Sequence, residues 1–148
     1  MPNIPNAEDK FLHVTKKELF YAAAMLKLKR LVNVVYNFPA DEVRFEQELC
    51  EARVSLRKKK LLTESARSGI TLSLPLSICT AFCANPQSCE VVNSDNYHAS
   101  IYKIETLYML IEQVSDEDLN ITWFIDKRML DEYISGKMKE SLKEGDKN

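Results

Sequence analysis

The side chains best suited to bind a metal, or to act as nucleophile and base, are four cysteines and two histidines. Cys79 and Cys83 stand one helical turn apart and Cys89 follows soon after, whereas His13 and His98 are far from them in sequence. A structural zinc site needs two close cysteine pairs, or one pair with two nearby histidines. The spacing therefore favours reduced thiols that serve as small hydrophobic side chains, as is usual in the cytosol.

The sequence shows no motif for catalysis. No glycine-rich loop follows a predicted strand, so there is no phosphate cradle. No local pattern supports a Ser–His or Cys–His arrangement, and His98 between a turn and a strand is typical of a surface residue. The acids of residues 116–118 fall in a predicted turn, where solvation explains them. We therefore predict a protein that is not an enzyme and that uses no cofactor and no metal.

The composition is that of an ordinary folded protein. The chain has 148 residues, 45% of them hydrophobic, and a formal net charge of -2, so no global field attracts nucleic acid or an anionic membrane. It contains no apolar run long enough to span a bilayer, and residues 1–10 do not resemble a signal peptide. We predict a cytoplasmic protein with a polar arm at 1–14, a single α+β domain at 15–138 and a charged tail at 139–148.

Helices dominate the predicted N-terminal half. Thr15 and Glu18 have the spacing of a capping box, which predicts a helix from Leu19 to about Val34. Asp41 is a natural N-cap for a second helix that ends near Lys60. The buried stripe predicted for that helix consists of Phe45, Leu49, Ala52 and Leu56.

A connector and a third helix follow. Residues 63–73 are polar and contain Gly69, which predicts a connector with a short extended piece near Ile70. Ser73 precedes an apolar helix over residues 74–84, with Pro75 in its first turn. Asn85 and Pro86 end this helix.

The second half changes to a strand-like period. Strands are predicted from Cys89, from His98 to Ile104 and from Asn120 to Asp126, with turns at 93–96 and 115–118. The stretch from Thr106 to Val114 fits either a strand or a helix. The pattern predicts an antiparallel meander of three to four strands, with a final helix that begins after Asp126 and packs on the sheet.

Two groups of residues are candidates for partner binding. The first is the basic cluster at the end of the second helix, which the favourable interaction of cations with a helix C-terminus also explains. The second is a set of tyrosines, since amphipathic rings favour interfaces. The candidates are Arg57, Lys58, Lys59, Lys60, Tyr97 and Tyr102.

Nucleic-acid binding is the alternative class. Helices followed by a hairpin resemble a winged-helix order, and the basic cluster would suit phosphates. However, the connector of about eleven residues is longer than the tight turn of a helix-turn-helix motif. The helix at 74–84 also offers no Arg, Lys, Asn or Gln to base edges.

A family resemblance is carried by the segment from Arg53 to Val92. A basic helix end with the sequence Leu-Arg-Lys-Lys-Lys-Leu-Leu is followed by a polar connector, the short helix at 74–84, the Asn-Pro turn and a strand. This order resembles the EspG family of type VII secretion and its shorter EsaE-like relatives. At Lys60 that family usually has glycine, and this chain is about half the length of the mycobacterial members.

The resemblance implies a non-catalytic cytosolic adaptor or chaperone that keeps secretion substrates soluble and presents them for export. It supplies no binding residues, because no contact motif matches. The short length and an uncovered strand edge also predict a homodimer.

Overall fold

The computed structural model describes residues 12–146, with side chains as far as residue 140. The elements in chain order are β1 (Leu12–Thr15), α1 (Lys16–Met25), α2 (Glu42–Lys58), β2 (Leu62–Ser65), β3 (Gly69–Leu72), α3 (Leu74–Ala84), β4 (Ser88–Asn93), β5 (His98–Ile104), β6 (Leu107–Gln113), β7 (Asp118–Phe124) and α4 (Lys127–Asp146). The mixture of helices and antiparallel strands confirms the predicted α+β class.

Two compact units make up the chain. Val14–Asn85 forms the first, which we call the helical unit. The described residues before Val14 and after Asn85 form the second, the sheet unit. The single domain predicted over 15–138 is thus divided after Asn85. Residues 1–11 of the predicted arm lie outside the described residues. The last three residues of that arm, 12–14, belong to β1.

Helix α1 begins as predicted and ends earlier. The Thr15 hydroxyl accepts from the Glu18 backbone N–H, and the Glu18 carboxylate accepts from the Thr15 backbone N–H at 2.7 Å, which completes the capping box. The helix stops at Met25 rather than near Val34, because Lys27 adopts a left-handed conformation with φ 58°. Farther on, the Val32 backbone N–H donates to the Cys83 carbonyl instead of continuing the helix.

Helix α2 is capped at both ends. The Asp41 carboxylate accepts from the Val43 N–H at 3.0 Å. At the other end, Lys60 has φ 63°. The Lys60 and Leu61 N–H groups then donate to the carbonyls of Arg57 and Leu56. This pair of bonds is a Schellman motif, in which the left-handed residue turns the chain out of the helix.

The predicted connector after α2 is in fact an antiparallel hairpin of β2 and β3, with Leu62 opposite Leu72 and Ser65 opposite Gly69. Gly69 has φ 72°, a conformation that glycine adopts without strain. Leu62 is buried, so a hydrophobic residue anchors the hairpin although its tip is polar. Helix α3 then follows as predicted, with the Ser73 hydroxyl accepting from the Leu76 N–H.

The sheet of five strands has the order β1-β7-β6-β5-β4. Strands β4 to β7 form the predicted antiparallel meander, and the ambiguous stretch at 106–114 contains a strand, β6. Both faces of β6 are buried, which explains why its apolar residues do not alternate with polar ones. Strand β1 adds a fifth member, most of which lies in the stretch that the sequence analysis assigned to the polar arm.

Helix α4 packs on one face of this sheet, as predicted. Its Leu130 joins Ala99, Ile101 and Leu110 in a buried cluster. Helical structure continues to Asp146, through most of the predicted charged tail. Among the described residues, no helix is both long enough and apolar enough to cross a membrane.

Candidate protein-binding surface

The basic cluster at the end of α2 is largely engaged in ion pairs within the helical unit. The Glu64 carboxylate accepts from Arg53 Nε at 2.9 Å and from Arg57 Nη1 at 3.4 Å. Lys59 Nζ lies 2.6 Å from Glu18 Oε1. Since two of the four predicted basic residues already have carboxylate partners, the cluster offers a partner less positive charge than its sequence suggests.

Glu18 is the buried acceptor of this unit, with 1% of its side chain exposed. Besides Lys59 and the Thr15 N–H, it accepts from the Ser55 hydroxyl at 2.5 Å. Elements α1 and α2 are thereby joined through one carboxylate. Lys59 therefore has a structural role, and the predicted binding set keeps Arg57, Lys58 and Lys60 as exposed side chains.

Tyr97 is hydrogen-bonded to a second buried carboxylate, that of Glu112 on β6. The hydroxyls of Tyr97 and of Tyr133 on α4 each donate to Glu112 at 2.9 Å. Burial raises the pKa of both tyrosines above its ordinary value of 10.0, and the adjacent Glu112 raises it further. This arrangement ties α4 to the sheet and provides no group poised to lose a proton.

Tyr102 is completely buried in the structure. It was predicted as a contact residue, and a side chain with no exposed area cannot present a surface, so it leaves the candidate set. Of the remaining candidates, Arg57, Lys58 and Lys60 belong to the helical unit, and Tyr97 belongs to the sheet unit.

Strand β4 is one of the two outer strands of the five-stranded sheet. The Ser94 N–H donates to the Tyr97 carbonyl at 2.8 Å, in line with the β4–β5 register. Because hydrogen-bonded pairs alternate along an antiparallel ladder, Val92 and Glu90 point their backbone groups toward β5. Val91, 52% exposed, therefore points its N–H and C=O away from the sheet.

Strand β4 lacks several of the devices that normally protect an edge, and its one charged residue is Glu90. It contains no lysine and no proline, and its register with β5 runs without a bulge from Ser88 to Asn93. Such features are how proteins block an edge strand from pairing with another chain. The outward side of β4 is thus a surface on which a further strand can pair.

A cleft of about 170 Å³ lies between this strand and the start of α4. Ile101 and Leu130 provide its apolar contribution. Its other lining residues are polar or charged: Ser88, Glu90, Lys103, Tyr108, Lys127 and Asp131. Cofactor and drug-sized sites usually occupy roughly 300–1,000 Å³. A volume this small suits one or two side chains of a partner.

The histidines and cysteines are the other side chains that could do chemistry. No group of three or more potential metal ligands occurs among the residues that the structure describes. His98 Nδ1 pairs with Asn93 Oδ1 at 2.9 Å, and His13 Nδ1 pairs with Asn120 Oδ1. All four cysteines lie within the described range and form no disulfide, and Cys79 and Cys83 are buried as predicted for small hydrophobic side chains.

Comparison with known proteins gives no match: no protein-family model fits the chain, and no curated protein is similar to it. The surface must therefore be interpreted from its own geometry. Sequence reasoning anticipated an uncovered strand edge without saying which strand, and it missed the cleft. The cleft brings residues of β4, β5, β6 and α4 together, so no local pattern contains it.

Proposed function

We propose that this protein is a non-catalytic, cytosolic protein-binding module, and that it serves as an adaptor or chaperone in a type VII-like secretion system. One observation carries the binding function: β4 is an outer strand with no lysine, proline or bulge over Ser88–Asn93, and it borders a small cleft. An extended segment of a partner can add to such an edge through its backbone and insert side chains into a neighbouring pocket.

The secretion role rests on the family resemblance, and a backbone feature supports it. The family usually has glycine at the position of Lys60, and Lys60 has φ 63°. Glycine is favoured in that conformation because it has no Cβ. A glycine would therefore fit the turn that this chain forms at Lys60, although the residue itself departs from the family pattern. The element order α2, hairpin, α3, Pro turn and β4 is also compatible with the family pattern.

Photo-crosslinking in the native cell tests the proposal. A photoreactive phenylalanine analogue replaces Val91, and in a matched variant it replaces Val114, which is also an exposed valine of the sheet unit at 61%. We expect a specific protein to crosslink at position 91 only. Deletion of the chain should then leave that protein insoluble and unexported. No specific product at position 91, or the same products at both positions, rejects the binding function.

If a partner crosslinks at position 91 but its solubility and export are unchanged by the deletion, the protein-binding function stands and the secretion role is rejected. A homodimer, which we also propose, would appear in the same experiment as a crosslink between two copies of the chain. Sedimentation at micromolar concentration provides an independent measurement of that state.

A winged-helix-like regulator of nucleic acid is the second candidate, because the β2–β3 hairpin directly follows the basic end of α2. Its expected signature is DNA binding that weakens steeply with salt. Replacing Lys58 and Lys60 by alanine should remove this binding, since these exposed lysines are not in the ion pairs with Glu18 and Glu64. Absence of any mobility shift at low salt would eliminate the candidate.

A further inference from the structure

The charges around the cleft between β4 and α4 are arranged in two rows. Ser88 pairs with Lys103, which pairs with Tyr108, so these three side chains form one row across the sheet. Glu90 belongs to the row two residues farther along β4, opposite Ile101. Alternate residues of a strand are about 6.8 Å apart and point to the same face.

Helix α4 repeats this order of charges. Lys127 lies in its first turn, after β7 has ended at Phe124 beside Tyr108. Asp131 follows one turn later, about 6 Å along the helix axis. Farther along α4, the Tyr133 hydroxyl donates to Glu112. Glu112 belongs to the next row beyond that of Glu90, so the helix runs from the Ser88 row past the Glu90 row. Lys127 therefore lies at the level of the row that contains Lys103, and Asp131 lies at the level of the row that contains Glu90.

The four charged groups remain available to a ligand. Within the part of the chain that the structure describes, Lys103, Lys127, Glu90 and Asp131 form no ion pair with one another or with other residues. Lys103 Nζ lies 5.7 Å from the centre of the Tyr108 ring. That ring is on β6, on the far side of β5 from β4, so the amine reaches the outer side of β4 by rotation of its stem across Ser88, whose side chain is short.

We propose that the cleft recognises an extended peptide segment with an acidic and a basic side chain two residues apart. A strand that pairs with β4 has the same spacing of about 6.8 Å between alternate side chains as the two rows. Its acidic residue lies beside Ser88 and meets both lysines, and its basic residue lies beside Glu90 and meets both acids. This specificity rests on the proposed protein-binding function and names the kind of segment that the edge accepts.

Binding of short peptides to the full chain tests the proposal. Three blocked heptapeptides contain the same valines and threonines with one glutamate and one lysine. Two of them carry the charges two residues apart in opposite orders, and the third carries them on adjacent residues, which face opposite sides of a strand. We expect fluorescence anisotropy to show one order of the spaced peptides binding about tenfold more tightly than the adjacent control, as expected for two surface ion pairs. Equal affinity for all three, or no binding, overturns the proposal.

Variants locate the interaction. Lys103→Gln should abolish the preference for spaced charges, whereas Lys58→Gln, an exposed lysine of the helical unit, should leave it intact. Exchanging both cleft lysines for glutamate and both cleft acids for lysine should favour the opposite peptide order. Circular dichroism verifies folding, and the single variant decides the question if the exchanged protein does not fold. An unchanged preference in Lys103→Gln rejects this site.

The outcome is separable from that of the proposed function. If a protein crosslinks at position 91 in cells and no peptide shows the charge preference, only the charge rule fails. If the peptides bind as expected and no cellular partner is found, the adaptor function fails and the cleft specificity remains.

Discussion

Among the residues whose side chains the structure describes, each unit contains one buried glutamate that joins two elements, and the two glutamates are stabilised differently. Glu18 accepts from a cation, a hydroxyl and a backbone N–H, and it also belongs to a helix cap. Glu112, 6% exposed, accepts from two tyrosine hydroxyls and forms no ion pair with any of the described side chains. A buried charge requires hydrogen bonds or an opposite charge, and these two sites use different proportions of them.

This difference determines whether the loss of each glutamate can be compensated by substitutions of its partners. Glu18 satisfies a backbone group at the start of α1, which no change of neighbouring side chains can remove. Both of the hydrogen bonds to Glu112 described above come from tyrosine side chains, so both donors can be replaced in one variant. Replacing every member of a buried polar group with apolar residues of similar shape can be nearly neutral, whereas removing one member leaves the others unsatisfied. Substitutions at the two sites should therefore respond differently to compensation.

The largest effect is expected for Glu18→Ala. This substitution removes the cap interaction, the Ser55 hydrogen bond and the partner of Lys59, and we expect a loss of about 3 kcal/mol in the free energy of unfolding. Urea denaturation measures it. Arg128→Ala, which removes the exposed surface pair with Glu132, should cost less than about 1 kcal/mol. Similar losses in the two variants would show that Glu18 is no more than a surface charge.

The next largest effect is expected for Glu112→Leu, at about 2–3 kcal/mol, because two tyrosine hydroxyls lose their acceptor. The triple variant with Tyr97→Phe and Tyr133→Phe should recover most of this loss. Such recovery would distinguish Glu112 from Glu18, for which Ser55→Ala and Lys59→Met should recover little of the loss caused by Glu18→Ala. If the triple variant is as unstable as Glu112→Leu, hydroxyl satisfaction is not the reason that Glu112 is present.

Alkaline pH should distinguish the two sites with a smaller effect. The pKa of Tyr97 and of Tyr133 is raised in the folded protein above the ordinary 10.0. Their contribution to stability is therefore complete below pH 10 and is lost as the pH rises above it, since the unfolded state releases these protons first. Unfolding free energies measured between pH 9 and 11 should fall less steeply in the Tyr97→Phe, Tyr133→Phe double variant. Equal slopes would contradict the stated effect of burial and Glu112.

The sequence predicted the surroundings of these glutamates unequally. Thr15 and Glu18 are three residues apart, so the capping box is a local pattern, and the end of α2 and the α3 cap are local in the same way. Glu112 depends on Tyr97 and Tyr133, which are 15 and 21 residues away in the chain. Their meeting is decided by strand register and by the packing of α4, as are the cleft residues. The β2–β3 hairpin was missed for a different reason, because its polar tip concealed an anchor at Leu62.

The smallest effect concerns the turn that follows Lys59 in the Glu18 site. Lys60 has a left-handed backbone, so Lys60→Gly removes steric strain and should stabilise the protein by about 0.5–1 kcal/mol, although glycine also gains freedom in the unfolded chain. Lys58→Gly, at the last residue of α2, should instead destabilise by up to about 1 kcal/mol. Thermal unfolding of both variants measures the two effects. Stabilisation by Lys60→Gly but not by Lys58→Gly would show that the left-handed conformation of Lys60, rather than general chain flexibility, determines the effect of glycine at the Schellman turn beside Lys59.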